Sequence, residues 1–299
     1  MDLYAVYPSL TGLFTNDVRD PSKSNPILRA NLIRIIATQQ PAACGFLLAD
    51  ASTPELTIAN DVMIVAVRRW LGLPIVPELL LNDGWACSCG ANLTELHVQV
   101  CTQNYSTRDR HNNVMNALAS FSRSVGLQVV CEEQVPGDTQ KRYDASISNP
   151  SDPASSSVKV DVTIVSPIQS AYTHNIALNA KFTPMQAAEI AFKEKRKKYD
   201  PHSVNLPSGD VFLPFVMESF GSIHIEGRKF LAKLQHRARH FYSQAMMISN
   251  PTRLPLSVYY ARILSTIVHV DSAHSILKTI RKAQVSIDNT AGRVPDSGT

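Results

Sequence analysis

Three cysteines and a histidine fall within fifteen residues of this chain, as Cys87-Ser88-Cys89 followed by His97 and Cys101. Thiolate sulfur and imidazole nitrogen are the ligands that tetrahedral Zn²⁺ takes, and four of them close its coordination sphere. A stretch tied that way must fold as a small unit around an ion, and the ion's role is structural because no coordination position stays open. The Cys-x-Cys spacing is tighter than the usual two-residue gap. The alternative is three ordinary buried cysteines and a core histidine on a strand-like HVQVC segment. Five cysteines in all, three of them clustered, fit a metal site in a reducing compartment better than a disulfide framework.

Over 299 residues the net charge is only +4, which permits nucleic-acid binding without arguing for it. The distribution says more. Lys193, Lys195, Arg196, Lys197 and Lys198 fall together, and Arg228, Lys229, Lys233, Arg237 and Arg239 form a second basic group. No apolar run approaches the length of a membrane span, and the opening MDLYAVYPSL lacks the basic start and apolar core of a signal peptide. The chain reads as soluble and intracellular, with no membrane partner.

Periodicity gives the element order. Apolar spacing predicts helices over Asn31–Thr38 and Ile58–Leu71, the second broken by Leu73-Pro74. Val114, Leu118, Phe121 and Val125 predict a helix from Ser106 to Val125, with Gly126 placed to stop it. Strands are expected at Leu127–Val135, Lys141–Ile147, Val158–Val165 and Val211–Val216, the first two joined by a Pro136-Gly137-Asp138 turn. Ser148–Ser157 reads as an exposed loop. Further helices are expected from Pro184 to Tyr199, Glu226 to Met247 and Leu256 to Val285, with a polar, disordered tail from Asp288 to Thr299.

Two acids stand out within this order. Asp144 lies in the returning strand of the hairpin, and Asp161 interrupts the apolar run VKVDVTIV. A carboxylate in such a strand needs a partner or a metal. Carboxylates on adjacent strands can hold Mg²⁺ for phosphodiester hydrolysis, and a lysine can then orient water or neutralise developing charge. The alternatives are a strand-edge acid facing solvent for Asp161, and a solvated helix face or a nuclear-import signal for KEKRKK. No adjacent aspartate pair, Gly-rich phosphate loop, GxSxG or HExxH motif occurs.

The ordered blocks CSCG…H…C, RDRHNNVMNAL, GLQVVCEE, KRYD, VDVTIV, EKRKKY and FVMESFG resemble the zinc-knuckle plus restriction-like endonuclease region of non-LTR retrotransposon polyproteins. VRRWLGLPI, within residues 58–78, is similar to the linker that follows the polymerase in such elements. The resemblance implies a PD-(D/E)XK enzyme of α/β class. Its three-layer core with a mixed central sheet would follow a helical segment and a small zinc knuckle. The implied divisions are a linker-like helical segment over 1–82, the knuckle over 83–105, the nuclease core over 106–250, a C-terminal helix over 251–287 and the tail over 288–299.

Carried over by position, Asp144 matches the first acid and Asp161 the second, both as Mg²⁺ or Mn²⁺ ligands. Lys195 matches a catalytic lysine moved from strand to helix, with Lys193 or Lys198 able to serve instead. Glu132 matches an upstream acid, with Glu133 the alternative. Arg110 and His111 match a recurrent Arg-His pair, which with Lys193, Lys197 and Lys198 would contact nucleic acid. Two positions depart from the pattern: Tyr143 replaces a proline, and Thr163 stands where a strand lysine is expected.

The resemblance thus implies a DNA endonuclease or nickase that uses Mg²⁺ or Mn²⁺ and carries structural Zn²⁺. DNA is the expected partner, with RNA or a retroelement ribonucleoprotein as further candidates, and the site of action is nuclear after passage through the cytoplasm. The rival reading is a catalytically inactive nucleic-acid-binding module that keeps the fold and the knuckle. A third is a decayed element product without selected activity.

Overall fold

The computed structural model describes residues 26–49, 56–76, 85–101, 106–138, 140–152, 156–169, 172, 183–199, 206, 209–241 and 254–291. In chain order its elements begin with α1 (Pro26–Thr38), α2 (Asn60–Leu71), a short α3 (Glu95–Val100) and α4 (Ser106–Ser124). Strands β1 (Gln128–Gln134), β2 (Arg142–Ser148) and β3 (Val158–Val165) follow. Then come α5 (Gln186–Lys198), β4 (Val211–Glu218), α6 (Ile225–Phe241) and the long α7 (Leu256–Ala291).

The four strands form one mixed α/β sheet in the order β1-β2-β3-β4. Strands β1, β2 and β3 pair antiparallel, whereas β4 runs parallel to β3 over its whole length, from Val158–Val211 to Val165–Glu218. A parallel neighbour requires a crossover, and α5 lies in it. Alternation then sorts the side chains. Ala145, Ile147, Val160, Val162, Phe215 and Met217 pack against α4, α6 and α7 in the main core. Val165 and Val216 instead meet Ala187, Ala188 and Ala191 of α5. Small residues on α5 let that helix sit close to the sheet, where its basic end can reach a strand.

Helix α4 buries the apolar stripe expected of it and ends in a Schellman turn. Gly126 takes the left-handed φ of 74° that this turn needs, and Leu127 N–H bonds Ser122 O at 3.1 Å. That turn feeds the chain directly into β1.

Helix α7 serves two cores. Its first half gives Tyr260, Leu264 and Val268 to the sheet core. Its second half gives Ala273, Ile276, Ile280 and Ala283 to a second cluster, with Phe46, Val62, Val65, Leu93, Val98 and Cys87. Between the halves, His269 is wholly buried, stacks on Phe46 at 3.9 Å, and places Nε2 within 3.2 Å of Ala43 O and 3.0 Å of Phe220 O. Burial first, then Arg69, push its imidazole down to about 3, so it is neutral and its Nε2–H faces the two carbonyls. Arg69 of α2 is buried too; it donates to Ser219 O at 2.8 Å and Ser219 Oγ at 2.9 Å, with its guanidinium 4.3 Å over the Phe220 ring.

Several boundaries differ from expectation. Helix α1 begins at Pro26 rather than Asn31, and α2 begins at Asn60 rather than Ile58 while ending at Leu71 as expected. The HVQVC segment is helical rather than extended through Val100. Asp288 to Ala291 continue α7 instead of opening the tail, because extending a formed helix costs far less than nucleating one. The expected helix to Met247 is described through Phe241; its residues 242–247, the tail from 292 and the N-terminal residues 1–25 lie outside the described residues.

Gly221 closes the turn after β4 against α7 with φ 86°, and a Cβ there would stand 2.5 Å from Ser265 Oγ and 3.1 Å from His269 Nε2. Gly221→Ala therefore combines left-handed strain with overpacking and is expected to lose about 3 kcal/mol of stability in urea unfolding. An unchanged midpoint would contradict this account of the α7 seam.

Candidate functional site

The Cys/His cluster is built from a tight turn and a one-and-a-half-turn helix. Ala86 bridges Asn92, Cys87 N–H bonds Ala91 O at 2.7 Å, and Leu93 N–H bonds Trp85 O at 2.7 Å, which folds Cys87 and Cys89 back on the following helix. Thr94 caps that helix by accepting His97 N–H on Oγ1 at 3.0 Å. His97 and Cys101 are then four residues apart, on one side of α3 and its C-cap.

All four ligand atoms lie within 4.8 Å of one another. Cys87 Sγ is 3.8 Å from Cys101 Sγ, and Cys89 Sγ is 3.3 Å from His97 Nε2. Two sulfurs on one tetrahedral zinc, each bonded at about 2.3 Å, stand roughly 3.7 Å apart, so the donor set and its spacing fit Zn²⁺. Burial pushes the Cys87 thiol up. Hydrogen bonds from the Cys89 backbone and from the His97, Cys89 and Cys101 side chains outweigh it and bring the thiol down to about 6. A thiol so lowered readily yields the thiolate that a metal binds. The cluster can therefore hold one metal ion.

The second group lies in a cleft of about 530 Å³ that takes its walls from β2, β3, α3, α4, α5 and α7. Pairing between β2 and β3 stops at Ala145–Val160, and one further step of that register sets Asp144 opposite Asp161 on the face toward α5. Where the strands part, Asp144 Oδ2 accepts Val162 N–H at 2.6 Å in place of a ladder bond. Lys195 Nζ lies 2.7 Å from Asp161 Oδ2, which Thr163 Oγ1 also approaches at 3.5 Å. Tyr199 donates its hydroxyl to Arg142 O at 2.8 Å, with Asp161 Oδ1 at 3.4 Å.

The two acids of this cleft lie among more cations than acids, with Arg110, Lys141, Arg142, Lys195 and Lys198 also in its lining. Burial raises the Asp161 carboxyl above its ordinary value; Lys195 opposes this and Asp144 adds to it. The Tyr199 hydroxyl is pushed up, first by burial and then by Asp161 and Asp144. Two carboxylates, one raising the proton affinity of the other, beside an ammonium mark this cleft as a candidate site.

The remaining sequence candidates sort differently. His111 Nε2 lies 3.3 Å from Asp144 Oδ1, and this bond, against the effect of burial, raises its imidazole. His111 thus sits on an acid of the cleft. Arg110 is turned into the fold: its Nη1 donates to Ser272 Oγ at 2.9 Å, and burial lowers its guanidinium while Asp271 raises it. It anchors α4 to α7 at the cleft wall. Lys193 pairs with Glu189 at 3.0 Å on the exposed side of α5, and Lys197 is exposed. Lys198 lines the cleft beside Tyr199, its Nζ 5.0 Å over that ring.

Glu132 is not brought to the acidic pair. Its backbone is left-handed at φ 55°, and its exposed carboxylate meets Arg142 at 3.6 Å outside the described cleft lining. Glu133 turns instead to Lys159 at 2.8 Å, a buried lysine that Ser146 Oγ and Asp210 also hold. Sequence reasoning passed over Tyr199, whose signal was its place one turn after Lys195 at the end of the basic run. It also passed over α3, whose signal was Thr94 as a cap ahead of ELHVQV.

No family model matches the chain. Over 172 residues it is 26% identical to the retrotransposable element SLACS 132 kDa protein of Trypanosoma brucei gambiense, a match covering 54% of this chain and 14% of that protein. The chain is thus a distant relative of a retrotransposon protein and spans about one seventh of that relative's length.

Zinc measured by plasma mass spectrometry is expected at about one ion per chain, and Cys101→Ser should lower both occupancy and melting temperature. Chain purified without zinc, with a melting curve indifferent to chelator, would return these residues to an ordinary core.

Proposed function

We propose that this chain is the nuclease segment of a retroelement protein, hydrolysing DNA phosphodiester bonds with Mg²⁺ or Mn²⁺. The observation that carries the reading is the 2.7 Å contact of Lys195 with Asp161, at the point where β2 and β3 part and Asp144 stands opposite. The helix–three-strand–helix–strand order from α4 to β4 supports a restriction-endonuclease-like core, and the relative just described supports retroelement origin.

Among the described residues, only the Cys/His cluster gathers three or more metal-ligand side chains in mutual reach. The acidic cleft offers two carboxylates, the number Mg²⁺ takes when waters and substrate phosphate fill its other positions. Asp144 and Asp161 would hold the ion, which supplies Lewis acidity and a water of lowered pKa. Val162 N–H and His111 fix the Asp144 carboxylate from two sides. Lys195, drawn from Asp161 toward the scissile phosphate, orients the attacking water and offsets charge in the transition state. Thr163 leaves the strand without a lysine, and α5 supplies one from the next element. Tyr199 holds the hairpin strand through Arg142 O and so steadies the floor of the cleft.

DNA is the substrate of this reading, and an RNA or ribonucleoprotein would deliver the chain to it. Action on chromosomal DNA places the protein in the nucleus. Exposed Lys197 and cleft-lining Lys198 would meet backbone phosphates, which makes binding fall with salt.

Supercoiled plasmid incubated with the chain and Mg²⁺ or Mn²⁺ is expected to become nicked or linear. Asp161→Asn and Lys195→Met should each slow this by about a hundredfold or more. Intact plasmid, with DNA binding retained and indifferent to Asp144→Ala, would leave only the inactive nucleic-acid-binding module. His111→Ala is expected to raise the Mg²⁺ concentration for half-maximal rate by about tenfold, with His111→Gln restoring part of it. A metal titration identical to wild type would remove His111 from the support of Asp144.

A further inference from the structure

Helix α5 separates the acidic cleft from a second cavity of about 500 Å³, bounded by α5, the start of β4 and α6. Lys195 and Lys198 line the cleft, whereas Phe192 and Arg196 of the same helix line the second cavity. Its wall carries the half-buried Phe192, Phe212 and Leu213, and Val211 at its edge is 53% exposed. β4 is an edge strand, so this apolar surface opens outward.

The rim is basic. Lys229, Lys233 and Arg237 of α6 recur at helical spacing and line the cavity, with Arg196 facing them from α5. Arg237 is committed to Val125 O at 3.0 Å and Asn149 Oδ1 at 2.7 Å. Glu226 is the one acid among the described lining residues, and Lys229 holds it at 2.7 Å. Arg196 lies 5.9 Å over the Phe192 ring, and neither it nor Lys233 has a carboxylate partner among the described residues. Two exposed cations therefore stand at the rim of a cavity whose wall holds half-buried aromatic rings, Phe192 with one face stacked on His224 at 4.4 Å and Phe212 packed beside Tyr199.

We propose that this groove binds an unpaired nucleic-acid strand, the part of the substrate that flanks the segment in the acidic cleft. A single strand presents phosphates and base faces together, which matches a basic rim over an aromatic wall. A duplex would offer the rim its phosphates but keep its bases stacked away from the rings. An acidic peptide would satisfy Arg196 and Lys233 but has no flat face for Phe192 and Phe212. The groove also adjoins the cleft: the Phe212 ring is 4.5 Å from Tyr199, whose hydroxyl is 3.4 Å from Asp161. A strand leaving the cleft over α5 would pass Lys195 or Lys198 before it reached Arg196. This inference rests on the nucleic-acid part of the reading above and not on its hydrolytic part.

The test is binding by the full chain in EDTA, so that no cleavage is needed. Fluorescence anisotropy is measured with a labelled fifteen-thymidine strand, an abasic strand of equal length, and a duplex. Arg196→Glu with Lys233→Glu, both exposed positions, is expected to weaken the thymidine strand about tenfold and the duplex less than threefold, with an unchanged circular dichroism spectrum. The wild-type chain should bind the abasic strand about tenfold more weakly than the thymidine strand. Phe192→Leu should reduce that preference while leaving the salt slope unchanged. Equal affinity of wild type and double variant for the thymidine strand overturns the proposal. So does equal affinity of the wild type for abasic and thymidine strands, and so does full displacement of the strand by a polyglutamate peptide of matched charge. A chain that fails to nick plasmid yet shows these differences loses the hydrolytic reading and keeps this one.

Discussion

Helix α7 fixes where everything else can sit, because one continuous rod supplies side chains to two cores. Leu264 and Val268 complete the layer under the sheet, and Ile276 and Ile280 complete the cluster that holds α2 and the Cys/His unit. A helix advances about 1.5 Å per residue, so the spacing between the two cores follows from the count of residues between those positions. The cleft walls inherit that spacing. Ser272 on α7 receives Arg110 from α4, while α3 approaches from the side of the metal cluster.

Polar groups concentrate at the seam between the cores. Among the described residues Arg69 is paired with no carboxylate; a carbonyl, a hydroxyl and a ring face receive its charge. Burial and then Arg110 push its guanidinium down to about 9, which still leaves it protonated at neutral pH. Glu218, near the same turn, is pushed up to about 7 by burial, against hydrogen bonds from Ser222 and the Ala188 backbone. Its folded value is the higher one, so its contribution favours the fold at low pH and weakens as pH rises from about 4.5 toward 7.

Local patterns were legible and long-range ones were not. The β-branched run VKVDVTIV announces β3 with the bounds it adopts, and four apolar residues at helical spacing announce α4. The ligand types of the Cys/His cluster announce one another, since only proximity makes that set useful. Asp144 and Asp161 could be picked out because a charge in an apolar strand is costly. Lys195 could not be separated from Lys193 by spacing, and it is the angular position around α5 that turns one to Asp161 and the other to Glu189. Glu132 misled because a left-handed residue inside a strand has no sequence mark when it is not glycine. Arg110 lines the cleft, but its bond to a serine 162 residues away, which half-buries it, has no mark in the sequence.

The contacts of His269 and Ser265 with Ala43 join residues 226 and 222 positions apart. A ribosome releases those partners far apart in time. Until α7 emerges, Phe46 has no His269 to stack on, and the sheet lacks Leu264 and Val268 on one face. Neither core can therefore close before α7 has been made, and each waits until then with apolar surface uncovered. The closing of both cores thus depends on one helix, through contacts of long sequence separation, which slow folding.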